Sequence, residues 1–68
     1  MELSARNQLR GKVKSVKLGT IMAEVVVELA GGQEIVAAIT RGSAERLKLQ
    51  TGDVVAAIVK SSSVMIGK

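Results

Sequence analysis

Neither cysteine nor histidine occurs anywhere in this chain, and that absence narrows what its 68 residues can fold into. A domain of this size lies near the lower limit at which a hydrophobic core sustains a fold unaided. Small domains ordinarily add disulfides, a structural metal or a partner subunit. The first route is closed and the second nearly so, because Cys and His are the usual structural metal ligands. Association between copies remains. A hydrophobic share of 47% and a mean hydropathy of +0.31 point the same way, since so small a globule lacks the interior to hide that much apolar surface. The sequence therefore predicts one domain over residues 1–68 that forms a homo-oligomer through apolar interfaces.

The order of elements follows from hydrophobic period. Leu9 and Val13 alternate with Arg10, Lys12 and Lys14, the pattern of a strand with one wet face. Gly11 interrupts it and predicts a bulge or bend of the kind that curls a sheet. Lys17 to Thr20 reads as a turn. Ala23, Val25, Val27 and Leu29 then share one face of a second strand, with Glu24 and Glu28 on the other. Val26 breaks that alternation and is a candidate interface position. Gly31-Gly32 suits a tight hairpin needing positive φ, and a third strand runs from Gln33 to Thr40. Between Thr40 and Leu49 the period becomes helical, with Thr40 or Ser43 available as N-cap. Val54 to Val59 is apolar on both faces, so both faces should be covered. Val64-Met65-Ile66 is expected to add a fifth short strand. The pattern predicts an all-β fold, a five-stranded OB-like Greek-key barrel with one short helix between strands 3 and 4.

Several function classes are disfavoured. Without His or Cys the chain lacks the commonest bases and nucleophiles near neutral pH. Its acids, Glu2, Glu24, Glu28, Glu34, Glu45 and Asp53, are scattered with no pair aimed at one pocket. No enzymatic role, catalytic residue or cofactor is expected. No carboxylate cluster has the spacing of a cation loop, so no residue is expected to ligate a metal cation directly. Polar residues from Glu2 to Gln8 interrupt any secretory segment, and no stretch approaches transmembrane length, so a cytoplasmic protein with no membrane partner is predicted. Ten Lys and Arg against six Asp and Glu leave a charge of +4, which favours anions. A small nucleic-acid-binding OB module is one reading of that charge. The absence of Phe, Tyr and Trp weighs against it, because such modules hold bases on aromatic faces.

A compact oxyanion is the better match. Ser4-Ala5-Arg6-Asn7-Gln8 gathers a hydroxyl, a guanidinium, two carboxamides and backbone N–H groups with no acid among them. Lys60-Ser61-Ser62-Ser63 supplies an ammonium and three hydroxyls, and Thr40 to Ala44 adds hydroxyls and the free N–H groups of a helix start. Each cluster also has a plainer use. Thr40 and Ser43 suit helix capping, Ser61 to Ser63 a polar turn, and Arg6 and Lys60 solvated surface charge.

Ser4-Ala5-Arg6-Asn7-Gln8-Leu9, Gly11 and Val13, Ala23-Glu24-Val25, Ala38-Ile39-Thr40 with Ser43 and Leu47, and Lys60-Ser61 before Val64-Met65-Ile66 span nearly the whole chain. Together they resemble the molbindin family. The resemblance implies a cytoplasmic protein that binds molybdate or tungstate reversibly for molybdenum storage, assembled as a homohexamer of three dimers. It further implies oxyanion sites between subunits, with Ser4, Ala5, Arg6, Lys60 and Ser61 from one chain and Thr40, Ser43 and Ala44 from its neighbour. It also implies a second class of site, for which Lys17 to Ile21 is the candidate region. Arg41-Gly42, which varies among the resembling sequences, would alter charge at the site mouth.

Overall fold

Alternation over the first forty residues becomes three antiparallel strands, and a fourth follows one short helix. The computed structural model describes residues 4–68; Glu2, counted above among the acids, lies outside the described residues. The elements are β1 (Asn7–Leu18), β2 (Met22–Leu29), β3 (Glu34–Thr40), α1 (Arg41–Arg46) and β4 (Val54–Val59), with a 3₁₀ turn at Ser61–Ser63. They make one sheet in the order β3-β2-β1-β4.

β1 is the hub. Its first half pairs with β4 from Asn7↔Val59 to Lys12↔Val54, and its second half pairs with β2 from Gly11↔Leu29 to Leu18↔Ala23. A strand that changes partners along its length must coil. The bulge that helps it do so lies between Val13 and Ser15, not at Gly11 as the glycine suggested. Gly11 instead permits a close approach, because a Cβ there would sit 2.5 Å from the Glu28 carbonyl oxygen and 2.8 Å from Val27 Cγ1. Only glycine allows β2 to come this near. The bulge also anchors the loop before β4, since the Val13 N–H donates to the Asp53 carbonyl at 2.9 Å and the Gly52 N–H to the Val13 carbonyl at 2.7 Å.

The β2–β3 hairpin turns through Gly31 (φ 91°) and Gly32 (φ 89°), the conformation expected of the glycine pair. Helix α1 stops in a Schellman arrangement: Lys48 N–H donates to the Glu45 carbonyl and Leu49 N–H to the Ala44 carbonyl. Lys48 occupies the left-handed position (φ 51°) that glycine usually takes.

Val13, Ala23, Val25, Val27 and Ala44 form the buried core among the described residues. Val16, Leu29, Ile35, Ala37, Ile39, Leu49 and Val55 pack around the valines. On the opposite face, Val26 is half-buried and pairs with exposed Val36. β4 is apolar on both faces as its sequence suggested, yet Val54 and Ile58 are exposed. Lys14, on the bulge, forms an ion pair with Glu34 of β3; this hydrogen bond and the carboxylate's charge hold the Lys14 ammonium pKa above its ordinary value.

The expected fifth strand is not in the sheet. Val64 has extended backbone (φ −89°, ψ 128°), but residues 64–68 join no ladder. A strand exists only through its hydrogen-bonded neighbour, and this segment has none within its own chain among the described residues. The sheet is therefore curled but open, with β3 and β4 as free edges.

Candidate functional site

The first donor cluster is assembled by strand register. Asn7↔Val59 is the last pair of the β1–β4 ladder, so the segments just beyond it, Ser4-Ala5-Arg6 and Lys60-Ser61, leave the sheet at the same end. Residues far apart in sequence are thereby brought together. Gln8 Nε2 donates to the Ala5 carbonyl at 2.8 Å, which commits one of the two carboxamides to shaping the backbone and leaves Ala5 half-buried. Lys60 leads into the 3₁₀ turn, whose Ser63 N–H donates to the Lys60 carbonyl at 2.9 Å. Ser4, Arg6, Lys60 and Ser61 are exposed. The ion pairs among the described residues are Lys14–Glu34 and Arg41–Glu45, so neither cation of this cluster has a carboxylate partner among the described residues.

The second cluster is built at the start of α1. Thr40 is the N-cap: its Oγ1 accepts from the Ser43 N–H at 3.1 Å and donates to Ser43 Oγ at 2.8 Å. Thr40 is thus mainly structural. Ser43 Oγ accepts both from Thr40 and from Arg46 Nη2 at 3.2 Å, which orients the oxygen and leaves its own hydrogen to be donated. Ala44 is 3% exposed and packs its methyl inward, so its contribution to a ligand is confined to the backbone. Arg41 is tied down, with Nη1 donating to the Gly19 carbonyl at 3.2 Å and Nε 3.4 Å from Glu45 Oε1. Its charge is partly neutralised, and it pins the turn over 19–21 against the helix.

Arg46 is the residue that sequence reasoning missed. Its spacing of three from Ser43 places both on one helix face, so the signal was present. It brings a third cation, after Arg6 and Lys60, to a donor cluster.

The two clusters do not meet within one chain. Thr40 pairs with Met22, and the Arg41 N–H donates to the Ile21 carbonyl, which puts α1 beside the Leu18 end of β1. The Ser4–Arg6 cluster is at the Asn7 end. An unbent strand of that length spans roughly 36 Å, and although β1 coils, the chain itself is 35 Å in its longest dimension. The candidate second region adjoins the α1 cluster, since Arg41 bonds to the Gly19 and Ile21 carbonyls; Lys17, Gly19, Met22 and Glu24 line a shallow pocket at the β1–β2 turn, so a carboxylate belongs to its lining.

With a donor cluster at each end of an open, coiled sheet, the comparison with known proteins becomes specific. The TOBE domain model matches residues 3–66. The chain belongs to the TOBE domain family. It is 50% identical over 66 residues to molybdenum-pterin-binding protein 1 of Clostridium pasteurianum, covering 97% of each chain. Among solved structures, MopII from the same organism superposes with a TM-score of 0.93 at 48% identity, covering 98% of this chain and all of that one. A molybdate-binding protein from Sporomusa ovata gives 0.93 at 43% identity over the whole of both chains. These findings bear out the molbindin resemblance of the SARNQ and Lys-Ser motifs. The named relatives are binding proteins. Among the described residues of this TOBE chain, no group of three or more acidic side chains could hold a metal cation, and no helix is long and apolar enough to cross a membrane.

Proposed function

We propose that this chain binds molybdate or tungstate reversibly at sites shared between subunits of a homo-oligomer, a homohexamer of three dimers, and serves as a cytoplasmic store of molybdenum. The observation that carries this reading is the separation of the two donor clusters. Neither alone surrounds a tetrahedral anion. Ser4, Ala5, Arg6, Lys60 and Ser61 present donors from one side, and Ser43, oriented by Thr40, presents its hydroxyl from another with the Ala44 backbone beside it; neighbouring chains would bring the two sides together. Arg46 would add its guanidinium behind Ser43.

The chemistry suits a dianion of this class. Arg6 and Lys60 supply positive charge with no carboxylate partner among the described residues, and hydrogen bonds to a charged acceptor contribute about 1.5–3 kcal/mol each. A cage closed between rigid sheets fixes its donor spacing, so it distinguishes oxyanions by size without covalent chemistry. Excess surface supports the oligomer. A monomer of 7.1 kDa is expected to expose about 4,100 Å², whereas this chain exposes 5579 Å².

Isothermal titration with molybdate, tungstate and sulfate tests the proposal. Molybdate and tungstate should bind clearly more tightly than sulfate, and Arg6→Ala or Lys60→Ala should weaken the tightest site more than tenfold, equivalent to about 1.4 kcal/mol. Absence of binding, or equal binding of all three anions, contradicts it.

A further inference from the structure

Ser43 stands in the middle of a side-chain relay on α1. Its Oγ accepts from Thr40 Oγ1 at 2.8 Å and from Arg46 Nη2 at 3.2 Å. A hydroxyl oxygen has two lone pairs and one hydrogen, so both acceptor positions of Ser43 are filled and its hydrogen is left to donate. Arg46 carries donors and no acceptor, which fixes the direction of its end of the relay. Its side chain lies back over the first turn of α1, with Nη1 3.8 Å from where a Cβ on Gly42 would stand. Glu45, the one acid of the helix, is engaged by Arg41, whose Nε is 3.4 Å from Oε1. Arg46 therefore has no carboxylate partner among the described residues, and the side-chain hydrogen bond it makes goes to Ser43.

We infer that Arg46 is a positioning residue which, with Thr40, makes Ser43 a donor-only group, so that the site favours fully deprotonated oxyanions over those that still carry a proton. The inference rests on the oxyanion reading above and adds the class of anion that the site rejects. Near neutral pH molybdate, tungstate and sulfate present only acceptor oxygens, whereas phosphate and arsenate keep an O–H that must itself find an acceptor. Among the side chains of the candidate site, Arg6 and Lys60 can only donate, and hydroxyls are the groups able to accept. With the lone pairs of Ser43 filled and Thr40 Oγ1 turned toward it, the α1 side of the cage presents donors. An anion O–H facing that side is left unpaired, which costs affinity. This selection is independent of size. Donor spacing would separate molybdate from the smaller sulfate, and the relay would separate sulfate from hydrogenphosphate, an anion of nearly the same dimensions.

Arg46→Met removes the donor and keeps an apolar stem. Displacement of bound molybdate by phosphate and by sulfate is followed by calorimetry at mildly alkaline pH, where phosphate is mainly the hydrogen-bearing dianion, so that losing the Arg46 charge weakens every anion alike. One lone pair of Ser43 is then free to accept. The affinity for phosphate relative to sulfate should rise at least about fivefold, equivalent to about 1 kcal/mol, and Arg46→Lys, which restores a charged donor, should return the ratio towards the parent's. In a Ser43→Ala background Arg46→Met should leave the ratio unmoved, because the acceptor it would release is gone. A ratio within about twofold of the parent's, or a variant from which phosphate displaces no molybdate, overturns the inference; so does an equal shift in the Ser43→Ala background, which would mean that Arg46 acts without Ser43. Arg46 is exposed, and each variant should keep the parent's far-ultraviolet sheet signal. A parent that fails to bind molybdate defeats the oxyanion reading itself, whereas a parent that binds it with a phosphate-to-sulfate ratio indifferent to Arg46 defeats this inference alone.

Discussion

Gly11→Ala isolates the close approach that shapes the sheet. The added methyl would meet the Glu28 carbonyl oxygen at 2.5 Å, its carbon at 3.1 Å and Val27 Cγ1 at 2.8 Å. None is the end of a flexible side chain, since two are backbone atoms and Val27 is a core residue. Restoring the nearest contact to an ordinary 3.4 Å requires β1 and β2 to separate by about 0.9 Å locally, which takes a 2.9 Å ladder bond beyond hydrogen-bonding distance. β1 cannot simply slide away, because Gly11 is also opposite Val55 on β4. Losing one or two ladder bonds at about 1 kcal/mol each, with overpacking of about 1–3 kcal/mol, gives a cost of about 2–5 kcal/mol. For a domain this short that corresponds to a fall in melting midpoint of at least about 8 °C. Circular dichroism melts at one fixed protein concentration measure it, because association makes the midpoint concentration-dependent. A midpoint within about 4 °C of the parent, equivalent to less than roughly 1 kcal/mol, would refute the close-approach argument.

Thr40→Ala removes the cap of α1 and should lower stability by about 1 kcal/mol, seen as a reduced urea midpoint with unchanged slope. Anion affinity should fall with it, since Thr40 also orients Ser43. Lys48→Gly relieves a left-handed lysine and should raise the urea midpoint by an amount equivalent to about 0.5–1 kcal/mol; a decrease would show that the Lys48 side chain contributes more than its backbone costs. The Lys14–Glu34 pair sets an alkaline limit. The Lys14 pKa is raised on folding above its ordinary 10.5, so its contribution is fully present below that pH and is lost as pH rises through the folded value. The stability gap between the parent and Glu34→Gln should therefore be constant around neutrality and shrink above about pH 10.5; a gap that widens there contradicts the pairing.

Much of this architecture was legible because it is local. Alternation in β2, the Gly31-Gly32 turn and the Thr40 cap each depend on neighbours within a few residues, and each formed where the pattern placed it. What was misread depends on partners far along the chain. Gly11 looked like a bulge, but its meaning comes from the approach of Glu28, and the bulge fell at Lys14, where β1 passes from one partner to the other. Helix termination through Lys48 carried no glycine signal. Val64–Ile66 has the composition of a strand, yet among the described residues of its own chain no edge pairs with it. In the site, the meeting of Arg6 and Lys60 at one sheet end required the β1–β4 register, whereas Ser43 and Arg46 could have been joined by helical spacing alone.

The central claim is that each oxyanion site takes its two halves from different chains. Arg6→Ala/Lys60→Ala damages one half. Ser43→Asp damages the other by placing negative charge against the anion, at a helix N-terminus where aspartate is well tolerated. Neither oligomer alone should bind molybdate tightly. After unfolding together and refolding as an equal mixture, random assembly should restore about one quarter of the parent's tight sites, the product of two independent halves, as counted by calorimetry. No recovery, with the mixed oligomer confirmed by native mass spectrometry, would place both halves within one chain and contradict the account.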